Sequence, residues 1–317
     1  MPSNPTALAA LFLLFMIYSF IGWCGEMIYC SIGQRRLCEK RGFLNGTICP
    51  IYGHGALLVL WALHGGCENP LLTFFFGMLL TTAVEYVTSY AMEKLFHMRW
   101  WDYSKHKFQI NGRVCLLNST LFGLACVLLC HVAHPRVMRL VYFLVDHHVA
   151  IPLAAVLLVL YLADIVVSVR SAIQMSSRLE KLRALQEELQ SKLEELKREQ
   201  QAKMDIWKAQ KAEAAGELRE RLSANLEERR AQTGQRLREG REALEELGGA
   251  YRERWDAFKS ETEQRMKALL QGQDRFERRL MRSYPSLRSE RYAEAIEKLR
   301  QALEESAARR KRSRKKK

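Results

Sequence analysis

No two cysteines in this 317-residue chain have the C-x-x-C spacing of a zinc ribbon or a redox pair, and all eight lie at or before Cys130. With no even framework, neither a disulfide scaffold nor a zinc site is supported, and the thiols read as small, buried and reduced. His54 and His64 have no second ligand at i+3 or i+4, so no metal site is expected. There is no G-x-x-x-x-G-K-[ST] phosphate loop, no G-x-S-x-G elbow and no H-E-x-x-H helix. The chain should therefore carry no ATPase engine of its own, need no cofactor and not be an enzyme. The first 25 residues contain no Asp or Lys and no Arg, a lack that soluble surface helices do not show.

The charge that is present is unevenly placed. Residues 1–170 hold 12 Lys or Arg against 8 Asp or Glu, and residues 171–317 hold 37 against 27. The fold class this implies is all-α: a polytopic membrane bundle followed by a long cytoplasmic helical or coiled-coil region. About 20 apolar residues cross the hydrocarbon as a helix. Five spans are expected, near 6–25, 43–66, 71–92, 114–133 and 149–169, making 1–170 a transmembrane domain. No basic residue precedes the first run and no small-residue cleavage site follows it, so it reads as a span and not as a cleaved signal. Gly46, Pro50, Gly53 and Gly55 interrupt the first half of the second run, which predicts a broken or re-entrant start. Residues 140–145 are too short to cross and are expected at the interface or as an extension of the fifth helix.

Basic residues flanking the spans set the orientation. Arg35, Arg36, Lys40 and Arg41 lie between spans one and two, and Lys94, Arg99, Lys105, Lys107 and Arg113 between three and four. The other side has only Arg136 and Arg139. This puts the N-terminus outside and the C-terminal half in the cytoplasm of a cell-membrane protein.

Residues 171–308 are rich in Glu, Lys, Arg, Gln, Ala and Leu, the composition of a long exposed helix or coiled coil. Leu182, Leu185, Leu189 and Leu196 follow a/d spacing, but Lys192 holds an intervening d position, so a weak self-association seam is expected. Gly248-Gly249 should turn the chain back and Tyr284-Pro285 should interrupt it again. Tyr251, Trp255, Phe258, Met266, Leu269, Phe276 and Leu280 recur at roughly helical spacing as a packing stripe. Residues 309–317 contain eight basic side chains. Composition predicts a disordered tail attracted to anionic lipid, with nucleic acid as the lesser alternative.

Candidate site residues cluster around Thr81–Ser119. Ser19, Gly22, Trp23 and Glu26 share one face of the first span, and Thr81, Thr82, Glu85, Thr88, Ser89 and Glu93 share one face of the third. A carboxylate inside the membrane needs a partner or water, and Arg113 is placed to pair with one of them. The aromatic loop Trp100-Trp101-Asp102-Tyr103 follows. Together these predict a charge-lined cavity opening to the cytoplasm. Asp164, a turn or two from Arg170, reads as a snorkelling or capping acid.

Four motifs carry a resemblance. YSFIGWCGEMIY lies in the first span, RGFLNGTICPIYGHG at the second, EYVTSYAMEKLF in the third, and RWWDYSKHKFQINGRVCLLNSTLFG leads into the fourth. Over residues 11–170 the chain resembles a bacterial family of multi-pass membrane proteins labelled ABC-transporter permease, CmpB type. Thr47 stands where that family has proline in G-P-x-C-P-I-Y-G, which should relax the entry to the second helix, and Phe122 stands where tryptophan is usual. The resemblance implies a permease subunit working with a separate nucleotide-binding subunit. It carries over Glu26, Arg41, Asn45, Pro50, Tyr52, Glu85, Glu93, Trp101, Asp102, Tyr103, Asn111 and Arg113 as candidate binding residues. The alternatives are a membrane-anchored coiled-coil scaffold or sensor that recruits cytoplasmic partners or lipid, and, weakest, an intramembrane enzyme using Glu85 or Asp102 as acid or base.

Overall fold

The computed structural model describes residues 4–34, 42–63, 69–221, 227–271 and 275–315. Its elements are helices α1 (Asn4–Gln34), α2 (Pro50–Ala62) and α3 (Pro70–Phe96), strands β1 (Gln109–Ile110) and β2 (Val114–Cys115), then α4 (Leu116–Leu128), a π-helical turn (Leu129–Ala133), α5 (His134–Asp146), α6 (Ala150–Arg221), α7 (Glu227–Gln271), α8 (Arg275–Ser283) and α9 (Ala293–Lys315). Among the described residues the fold is all-helical apart from a hairpin of two two-residue strands and an isolated bridge between Arg99 and Arg288.

Among the described residues four helices are long and apolar enough to cross a membrane: Pro5–Ile32, Pro70–Phe96, Leu116–Asp146 and Ala150–Gly216. The second expected span is instead the 13-residue α2, entered through an irregular stretch from Gly42. Pro50 starts α2 because its missing N–H is one that a first helical turn cannot satisfy anyway. Residues 140–145 prolong the fourth span and not the fifth. The π turn passes the chain through Pro135 without ending the helix, and the break comes only where His148 takes φ 57°.

The membrane helices are inside-out by soluble standards. On α3 the buried positions Thr73, Gly77, Glu85 and Ser89, with half-buried Thr81 between them, follow a four-residue repeat, while Leu71, Phe75, Leu79 and Val87 are exposed. Only lipid makes that arrangement favourable. Glycines set how closely the helices approach. A methyl group on Gly53 would overlap Ser19 Oγ of α1, and one on Gly77 would come 2.6 Å from Cys126 Cβ of α4. Small residues let backbones close in where apolar burial supplies no driving force. Polar bonds then join the helices: Thr82 to Ser119 at 2.8 Å (α3 to α4) and Tyr18 to His134 at 2.7 Å (α1 to α5). Cys130 is disulfide-bonded, whereas Cys24, Cys30, Cys49, Cys115 and Cys126 are free, which corrects the expectation that all thiols are reduced.

The chain divides into two compact units, Met1–Leu179 with Gln273–Lys317, and Glu180–Gly272. In the second unit α7 runs back along α6. Tyr251 donates to Glu199 at 2.6 Å, Lys203 lies over the Tyr251 ring, and Gly240 approaches Trp207. The expected turn at Gly248-Gly249 does not occur, because α7 passes straight through it. Two glycines cost a helix only about 2 kcal/mol, which the paired helix offsets. Leu182 is buried and Leu185, Leu189 and Leu196 half-buried; Trp255, Phe258, Met266 and Leu269 are also half-buried.

In the first unit the chain returns to the membrane helices. Leu280, Leu287, Tyr292, Ile296 and Leu299 are buried there, as are Ala172, Met175 and Leu179 of α6. The interruption at Tyr284-Pro285 occurs as expected. Helix α9 extends to Lys315, so most of the basic stretch is helical where composition predicted no fold.

Candidate functional site

Helix α3 ends where His97 takes a left-handed conformation (φ 55°), which turns the chain into the loop that carries Trp100 to Tyr103. The loop returns through β1 and β2, whose register pairs Gln109 with Cys115 and Ile110 with Val114. Asn111 and Gly112 both have positive φ (52° and 69°), as a tight hairpin turn demands. A side chain on Gly112 would also press on Asp102 Oδ1 and Ser104 Oγ, both 2.6 Å from the added carbon. The turn is locked to the loop, since Tyr103 N–H donates to Gly112 O at 2.8 Å and Trp101 Nε1 to Arg113 O at 3.0 Å.

Within the bundle two tyrosines meet two carboxylates. Tyr52 of α2 donates to Glu26 Oε2 of α1 at 2.5 Å, and Tyr103 of the loop donates to Glu85 Oε1 of α3 at 3.2 Å. Glu85 is 5% exposed, and its Oε2 is buried with no hydrogen-bond partner among the described residues. The ring of Phe122, in the tryptophan position, meets Tyr52 edge-on at 6.0 Å.

A second group lies nearer the end of α3. Glu93 Oε2 receives Arg113 at 2.6 Å and Arg99 Nε at 2.9 Å. Arg113 is buried, 5.7 and 5.3 Å from the ring centroids of Tyr86 and Tyr90, and Asn111 Nδ2 donates to the Tyr86 hydroxyl. The expected partner of Arg113 is thus Glu93, leaving Glu26 and Glu85 without a cation among the described residues.

The third group fastens the C-terminal segment. Arg279 of α8 donates to the carbonyls of Gly42 (3.0 Å), Phe43 (2.7 Å) and Leu44 (2.8 Å). Arg288 and Arg99 exchange both backbone bonds at 2.8 and 3.0 Å, and the Arg288 guanidinium reaches Asp102 Oδ2 at 2.7 Å. Ser289 Oγ donates to His97 O at 2.6 Å. Trp100, 2% exposed, is boxed by Phe43, Phe96 and Tyr284 with centroids 5.1–5.7 Å away, so it is a packing residue and not part of an interfacial belt. Burial pushes the Asp102 carboxyl up, but bonds from the Ser104 hydroxyl and N–H, the bond from Arg288 and the charge of Arg288 together hold it below the usual range.

The structure therefore brings Glu26, Tyr52, Glu85 and Tyr103 together, and places Glu93, Trp101, Asn111 and Arg113 in a neighbouring network. Asn45 lies apart from them: its N–H and that of Gly46 donate to Asp164 at 2.9 and 2.7 Å, and its Nδ2 to Ser168. Asp164 thus caps the stretch entering α2, which its nearness to Arg170 did not suggest. Arg41 and its basic neighbours Arg35, Arg36 and Lys40 lie outside the described residues, as do Lys316 and Lys317. His54 bonds Pro50 O and packs on Phe15, and no group of three metal-ligating side chains exists among the described residues. Sequence reasoning missed Arg279 and Arg288, and it read Asp164 as a snorkelling or capping acid without finding what it caps; none of the three carries a local signal of its partner.

Apolar helices with an outward hydrophobic face and inward carboxylates define a helical membrane protein. Its residues 13–169 match the family described as "Putative ABC-transporter type IV". No curated protein and no solved structure matches the chain.

Proposed function

We propose that the protein is a permease-type subunit of the cell membrane, with its N-terminus outside and its C-terminal half cytoplasmic, working with a separate nucleotide-binding subunit. The observation that carries this is the convergence of Glu26, Tyr52, Glu85 and Tyr103 from four separate segments inside an apolar bundle. Intramembrane carboxylates are costly and mark solute or ion paths. Around them we place a polar pocket opening to the cytoplasm, with Glu93, Trp101, Asp102, Asn111 and Arg113 at its rim. Asn45 and Arg41 sit on the stretch leading into α2. The orientation is supported by the loop cations and by the Cys130 disulfide, because disulfides persist on the oxidising side. The basic residues after Ala308 would then face anionic lipid.

Glu85→Gln tests this reading. Uptake or ligand binding should be lost in a variant that inserts normally, and unchanged uptake refutes the pocket.

A second reading is favoured by the attachment of the segment between α8 and α9 to the rim loop: a membrane-anchored scaffold or sensor in which residues 180–272 recruit partners or self-associate. If that half, fused to an unrelated anchor, recovers the activity of the whole protein, the scaffold reading replaces the permease.

A further inference from the structure

We propose that Glu85 and Glu26 form a proton-binding site, in which one proton is held on Glu85 with Glu26 as the second carboxylate. This deepens the permease reading and rests on its assignment of these residues to the solute path.

Among the described residues Glu85 meets the Tyr103 hydroxyl of the rim loop and the charge of Glu26 of α1, and Tyr103 in turn lies near Tyr52 of α2 and Cys115 of β2. None of these is a cation. The Ser119 hydroxyl of α4 accepts from Thr82 of α3. Arg113, in the neighbouring network, is committed to Glu93 at 2.6 Å and to two tyrosine rings. Each carboxylate has one tyrosine donor, and the Cys30 thiol gives Glu26 a weak second contact at 3.5 Å. Two ionised carboxylates in an apolar surrounding with no cation are strongly disfavoured, and the remedy is a bound cation or a proton.

The donor set selects between these. A bare divalent cation gathers about six oxygens. Here the two hydroxyls are already used as donors toward the carboxylates, and of the oxygens of Glu26 and Glu85 the one without a hydrogen-bond partner among the described residues is Glu85 Oε2, buried in a residue 5% exposed. A proton needs only that oxygen. Its uptake converts Glu85 from carboxylate to carboxylic acid with no other bond made or broken, and leaves Tyr103 donating to Oε1. Tyr103 belongs to the cytoplasmic-side loop in the orientation proposed above, so the rim supplies the proton's route.

Dicyclohexylcarbodiimide, an apolar reagent for protonated carboxyls, provides the test on the full-length protein in liposomes from pH ~5 to ~9. Peptide mass spectrometry on the wild type should place the adduct on Glu85, with at least about a tenfold decline toward the alkaline end, and Glu85→Gln should lose it. Absence of labelling, a label only on Glu26 or Glu93, or a level independent of pH overturns the proposal. Protection by sodium or potassium at fixed pH also overturns it, by making the occupant a metal cation. The two readings separate cleanly. Normal labelling beside unimpaired transport by Glu85→Gln keeps the proton site and sinks the permease pocket, whereas lost transport without labelling does the reverse.

Discussion

Arg288 and Asp102, 186 positions apart, are joined at 2.7 Å, and the same arginine pairs its backbone with Arg99. The residue after Asp102 is Tyr103, which donates to Glu85. The C-terminal segment, which lies beyond the family-matched residues, thus holds the loop that reaches into the membrane cluster.

Acid should leave this contact intact over most of the usual range. Asp102 has a depressed folded-state pKa, so its contribution is present above its unfolded value of about 3.9 and is lost only as pH falls through the lower folded value. Because the pair is partly exposed and screened, its worth is about 1 kcal/mol or less. Hydrogen exchange of residues 97–104 and 286–290 should be equally protected, after correction for intrinsic rate, at pH 7 and pH 5. Loss of protection by pH 5 would contradict the assignment.

Arg279 should matter more than Arg288. Its guanidinium satisfies three carbonyls at once, and truncation to alanine leaves them without a donor. Arg279→Ala should cost roughly 2–3 kcal/mol of docking and raise protease cleavage within 275–300 by about 30-fold to about 160-fold. An unchanged cleavage rate would show that the apolar contacts alone hold the segment.

The glycines predict a contrast. Gly77→Val must push Cys126 aside and should destabilise the bundle by about 1–3 kcal/mol. Nothing lies within 4 Å of a methyl group on Gly25, so Gly25→Ala should be neutral or stabilising by up to about 1 kcal/mol. Thermal unfolding in detergent compares the two, and equal midpoints would contradict the close α3–α4 approach.

Much of the membrane half was legible because lipid imposes simple rules. Uncharged length marks α1, α3 and α6, and the i, i+4 stripe on α3 identifies Glu85 and Ser89 as inward-facing. Asn111-Gly112 announces a turn by its chemistry. The contacts of Arg279 with Gly42, Phe43 and Leu44, and of Asp164 with Asn45, join residues more than a hundred positions apart and leave no periodicity to read. Gly248-Gly249 misled because a breaker is only a local preference, and pairing between α6 and α7 overrides it. The disulfide at Cys130 escaped notice because spacing identifies only short-range cysteine pairs.

That disulfide offers a check on orientation. On intact cells a membrane-impermeant reductant should make Cys130 available to an impermeant maleimide. Labelling only after the cells are opened would place this end of α4 inside.

The attachment of α8 and α9 to the membrane helices also means that covalent continuity through residues 180–272 is dispensable for keeping the two ends together. A chain cut within that arm should behave as a complementing pair, the C-terminal fragment staying seated through Arg279, Arg288 and the buried Leu280, Leu287 and Leu299. The arm is in this sense an insertion into a finished structure, a place where length and sequence can change without dismantling what it is inserted into.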